Sequence, residues 1–188
     1  GEVQTKLIDR GFLDALTGEV YFAQLEDFGN QKDNLALLVR TKLPEQSWAT
    51  LKEFRNSVDN SSSDFYLGNE ILYFPEEDFP AHLFEGKFPG FPQTHISLVG
   101  EVLIFSNSAS GMKVILDDIN AKNTWFYASN TPGQSFNQAS GFSQTLFLPK
   151  IWSKWTQEAI PSWSTFLQKY QNAFLTFPYV AFRLNQLG

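Results

Sequence analysis

One stretch of the chain occurs twice. Residues 36–54, ALLVRTKLPEQSWATLKEF, lie without a gap on residues 101–119, EVLIFSNSASGMKVILDDI. In each copy an apolar strand runs through a short polar break into a helix with apolar residues three and four apart. Leu37, Val39, Leu51 and Phe54 fall on Val102, Ile104, Leu116 and Ile119, positions that face a core in both copies. Identity is almost absent, so what repeats is a pattern of burial. That pattern constrains the fold to two strand-strand-helix-strand units, at about 18–75 and 94–149. Neither copy carries a nucleophile-base pair, a metal-ligand cluster or a phosphate loop, so architecture is duplicated and chemistry is not.

The remaining elements follow from punctuation and period. Residues 3–16 read as a helix stopped by Gly18, 20–25 and 35–41 as a hairpin, and 65–74 as a strand. Pro44 suits the first turn of a helix over 44–58, and Ser108 the N-cap of one over 109–121. Between the copies, PEEDFPAHLFEGKFPGFPQ holds four prolines and two glycines in 19 residues, which allows one helical turn near 81–84 and no long element. Gly100-Glu101 joins strands 95–99 and 102–105, residues 130–141 read as a loop, and 145–148 closes the second copy. A helix over 162–174 with Trp163, Phe166, Leu167 and Tyr170, and a strand over 179–184, complete the chain. The expected fold is α+β: a single compact domain over 1–188, its antiparallel or mixed sheet covered by helices on one face, with a C-terminal helix and strand at 162–185.

Charge and composition remove several functions. A formal charge of -6, from 14 basic and 20 acidic residues, gives no electrostatic footprint for nucleic acid or an anionic membrane. The absence of cysteine excludes disulfides and thiolate chemistry. No stretch approaches the roughly 20 apolar residues of a membrane helix. Because the chain starts at Gly1 and ends at Gly188 straight after an alternating strand, it is expected to be cut from a longer protein, with a following domain meeting Phe174 and Phe177.

The candidates for chemistry are few. His82 and His95 share no ligand spacing and read as structural or exposed. Glu76, Glu77 and Asp78 in the crossover could flank a sugar, and Asp117 and Asp118 lie on a helix, but acidic residues there are ordinarily solvated. Ser61, Ser62, Ser63 and Ser106, Ser108, Ser110 form no nucleophile elbow. No catalytic, cofactor-binding or metal-ligating residue is assigned. What exceeds an ordinary core is aromatic: Phe88 and Phe91, with Phe74, Phe79 and Phe84, form either a plug sealing the crossover or an exposed patch, the plug being preferred. As a possible interaction surface the sequence offers Phe88, Phe91, Phe174 and Phe177.

The order of motifs resembles a known group. LFEGKFPGF followed by THISLVGEVLIFSNSASGMKVILDDINAKNTWFY is similar to the uncharacterised domain-of-unknown-function family numbered 3352, in the form found in Bacteroidetes envelope proteins. Leu83, Phe84, Gly86 and Phe88 match its first motif, Gly100 and Glu101 its turn, Phe105, Ser106, Asn107 and Ser108 its strand end, and Asn123 and Thr124 its last segment. Glu85 is an insertion, and Trp125 stands where leucine is usual. The resemblance covers about residues 18–185. It implies an extracytoplasmic setting in the envelope or periplasm, a membrane anchor outside this stretch, and no known activity or cofactor. The expected function is therefore a non-catalytic structural or protein-interaction domain, its partner a neighbouring domain or another envelope protein. The alternatives are a glycan hydrolase using acids near 76–78 and a carrier of a hydrophobic ligand.

Overall fold

Val102–Ser106 has no polar residue until its last position, a run that suits a strand covered on both faces. In the computed structural model, which describes residues 2–25, 34–58, 63–124, 141–176 and 179–185, this strand lies in the middle of a six-stranded sheet. In chain order the elements are α1 (Glu2–Ile8), a 3₁₀ turn (Leu13–Ala15), β1 (Leu16–Gln24), β2 (Leu35–Thr41), α2 (Pro44–Val58), β3 (Asp64–Tyr66), β4 (Asn69–Phe74), α3 (Phe79–Leu83), β5 (Thr94–Val99), β6 (Val102–Ser106) and α4 (Ala109–Asn120). The strand order is β1-β2-β6-β5-β4-β3, antiparallel throughout, so the α+β class expected from the sequence is the class observed.

The register decides which side chains share a face. Leu37 pairs with Phe105, Val39 with Leu103, Ile96 with Phe105 and Leu72 with Ile96, so these point the same way. They form the main core with Leu51 and Phe54 of α2, Leu7 of α1, Phe12, Phe79 of α3 and Phe91. The alternate residues Ile71 and Ile104 point to the other side, where Met112 and Leu116 of α4 cover them. The two long helices thus lie on opposite faces of the sheet, and the expectation of helices on one face is corrected. The reason is the composition of the central strands. LLV in β2 and VLIF in β6 are continuous apolar runs, as strands buried on both sides require, and a sheet with one wet face would alternate.

The repeat survives this correction. β2 leads into α2 and β6 into α4, and in each copy the matched strand residues face their own helix: Leu37 and Val39 toward α2, Val102 and Ile104 toward α4. It fails at the fourth element. The third strand of the first copy is a hairpin, because Leu67 and Gly68 both adopt positive φ (49° and 77°), the geometry of a two-residue turn whose twist matches the flanking strands. The strand expected to close the second copy runs instead over Gly141–Phe147 (β7) and pairs with Tyr179–Asn185 (β8) in a separate two-stranded sheet.

The chain divides into two compact units, residues 1–130 and 131–188. In the second, β7 passes directly into α5 (Leu148–Glu158), then α6 (Pro161–Lys169) and α7 (Gln171–Leu175), before β8 returns. The helix expected over 162–174 is broken at Tyr170, and its start is set by Pro161 in the first turn. Ser164 Oγ donates to the Thr156 carbonyl at 3.0 Å and joins α6 to α5, while the rings of Trp152 and Phe174 stand 5.7 Å apart.

Candidate functional site

The crossover between the two copies is closed by Asp78. Its carboxylate Oδ1 accepts from the backbone N–H groups of Gly90 at 2.7 Å and Phe91 at 2.8 Å, and its own N–H donates to the Phe91 carbonyl at 2.7 Å. Asp78 takes positive φ (52°) to reach them, a conformation that aspartate tolerates better than most residues. The clamp delivers Phe91 into the core, where it is 0% exposed. Gly90 is required here: its φ is 98°, and a Cβ would come within 2.8 Å of Leu35 Cδ1. Asn107 ties the same loop to the sheet, its Oδ1 accepting from Leu35 N–H at 3.0 Å and its Nδ2 donating to the Gly90 carbonyl at 3.4 Å. Glu76 Oε1 lies 2.9 Å from His82 Nδ1 at the margin of the loop.

A second polar cluster lies on the α4 side of the sheet. Lys113 of α4 pairs with Asp64 of β3 at 3.3 Å and stands 5.4 Å from the centre of the Tyr66 ring, whose hydroxyl donates to Asp117 at 2.9 Å. Lys113 holds the Asp64 carboxyl below the usual carboxylate range, and the hydrogen bond to Asp117 raises the Tyr66 phenol. His95 of β5 is 8% exposed, its ring lies tilted against that of Tyr73 with centroids 5.2 Å apart, and among the described residues its buried Nδ1 has no hydrogen-bond partner. Burial depresses its pKa; Asp64 opposes that shift and Lys113 reinforces it. On the other face, burial works against the Glu70 carboxylate, but hydrogen bonds from Ser63, Lys52 and Trp48 Nε1 (3.2 Å) together with the charge of Lys52 outweigh it and lower its pKa.

The residues singled out in the sequence scatter. Phe91 is core, and so cannot belong to a surface; this agrees with the plug. Phe88 is half-buried at positive φ (60°), its ring edge-on to Phe84 at 5.8 Å and 5.7 Å from Phe22. Phe174 is partly buried against Trp152 and Phe166, and Phe177 lies outside the described residues, as do Ser61, Ser62 and Trp125. Ser108 caps α4, accepting from Gly111 N–H at 3.0 Å, and Ser106 Oγ donates to the Ser108 carbonyl at 3.1 Å. The Phe-Ser-Asn-Ser strand end is therefore a folding device: a core ring, a turn, a latch and a cap. Among the described residues no group of three or more His, Asp or Glu could hold a metal ion.

A surface feature escaped the sequence reading. Trp163, Phe166 and Tyr170 form a run of rings, 5.6 Å and 4.9 Å between successive centroids, and stay 57%, 43% and 42% exposed. Their spacing of three and four is that of a core stripe, and only Leu167 of that helix is buried. Periodicity reports that residues share a face, and is silent on what covers it. Compared with known proteins, the chain matches no family model, no curated protein and no solved structure.

Proposed function

We propose that the chain is a non-catalytic structural or interaction domain of an extracytoplasmic bacterial protein. The observation that carries this reading is the engagement of Asp78. Of the three crossover acids that could flank a sugar, it holds two backbone amides and closes the loop, and Glu76 is paired with His82. A carboxylate fixed on its own backbone is poorly placed to move a proton to a substrate. The resemblance to the envelope family supports the setting: cell envelope or periplasm, with the anchor elsewhere in the polypeptide. Incubation with a panel of glycans, followed by product analysis, tests the reading. No turnover is expected; turnover that is lost in Glu76→Gln or Glu77→Gln would overturn it in favour of a hydrolase.

A further inference from the structure

The second unit carries a surface whose chemistry names its partner. Of 13 large hydrophobic residues exposed among the described residues, five lie within 16 residues: Trp155, Ile160, Trp163, Phe166 and Tyr170. Three are tryptophan or tyrosine, rings with an apolar body and a polar tip that settle where hydrocarbon meets water. The sequence that carries them is net basic. Residues 148–176 hold Lys150, Lys154 and Lys169 against Glu158 alone, a formal +2 in a chain of -6. The whole-chain charge conceals this, because the acidic excess lies elsewhere. Lys169 stands 5.4 Å from the centre of the Tyr170 ring, so a cation borders the exposed aromatic run. Rings beside lysines on short amphipathic helices are the pattern of a segment that rests in the plane of an anionic bilayer.

We infer that α5 and α6 dock on an anionic lipid surface, burying Trp163, Phe166 and Tyr170 at headgroup depth with Lys169 against lipid phosphates. This contact is direct and additional to any anchor elsewhere in the protein. It deepens the interaction reading above and rests on it. A protein partner offers the rival explanation, since tryptophan and tyrosine also make interface anchors; the local positive charge within an acidic chain, and a helix that stays exposed along a run of rings, favour lipid.

The test is sedimentation of the full chain with vesicles of phosphatidylcholine alone and of phosphatidylcholine with about a third phosphatidylglycerol, together with tryptophan emission. Binding to the anionic vesicles alone is expected, with a blue shift and loss of binding in high salt. Phe166→Ser and Lys169→Glu should each weaken it roughly tenfold. Lys169 is exposed, so the melting temperature of Lys169→Glu should stay constant, and because Phe166 also packs on Phe174, a far-ultraviolet circular dichroism spectrum matching that of the unmodified chain reports that Phe166→Ser folds. Absence of anionic-vesicle binding by the unmodified chain, or binding indifferent to both substitutions, would overturn the inference. A photo-crosslinker at position 163 separates the failures: a single protein captured there with no vesicle binding replaces lipid by protein and leaves the interaction reading standing, whereas glycan turnover removes that reading itself.

Discussion

At the scale of single residues, the crossover loop should be the most sensitive surface feature of the first unit. Asp78→Ala leaves two backbone donors without their carboxylate, and hydrogen bonds to a charged group contribute about 1.5–3 kcal/mol. A loss of about 2 kcal/mol in denaturant unfolding is expected, and an unchanged midpoint would show that the loop is held by its rings alone. Phe91→Ala removes a fully buried ring and should cost about 3–5 kcal/mol, whereas Phe88→Ala, half-exposed, should cost less than about 2. His95 gives a pH signature. Burial lowers its folded pKa below the ordinary value of about 6.5, so the folded state favours the neutral ring and the unfolded chain binds more protons as pH falls. Stability is complete above that value and declines as pH drops below it. Measured between pH 7.5 and 5.5, wild type should lose stability that His95→Gln retains; parallel curves would show that the ring is solvated in the folded state.

At the scale of elements, the placement of α2 and α4 on opposite faces makes a quantitative claim. Leu51→Ala and Leu116→Ala empty different cores that have no residue in common, so their destabilisations should add to within about 0.5 kcal/mol in a double-mutant cycle. Coupling of 1 kcal/mol or more would put both helices over one core. Much of this layer is legible in the sequence: Pro44 and the polar run after Val58 bound α2, Ser108 marks the cap of α4, Gly100-Glu101 marks the β5–β6 turn, and apolar spacing alone makes β2–α2 equivalent to β6–α4. What was lost has physical causes. A stripe at helical period fixes which residues share a side, but the side of the sheet on which a helix lands is set by strand register, which connects residues far apart in the chain. The hairpin in 65–74 was hidden because Leu67 is apolar and reads as strand although its φ is 49°. The rings of α6 were visible, and their exposure was not, for the same reason that Leu51 and Trp163 look alike in a sequence.

At the scale of the whole molecule, the first unit covers both faces of its sheet with its own elements: α1, α2 and α3 on one side, α4 on the other. Residues 1–130 expressed alone should therefore keep a cooperative thermal transition, followed by circular dichroism; a broad non-cooperative melt would mean that the boundary is misplaced. The pairing of β2 with β6 has a consequence for synthesis. Leu38 and Ile104 are partners 66 positions apart, whereas β1–β2 and β5–β6 are local hairpins. A local hairpin closes in about 1–10 μs, but at about 5–20 residues per second a ribosome needs roughly 3–13 s to supply the strand that β2 awaits. Through that interval the nascent chain presents one open edge of Leu37, Leu38 and Val39, and a ribosome stalled before Ser106 would hold out an apolar strand that only another copy, or a chaperone, is there to cover.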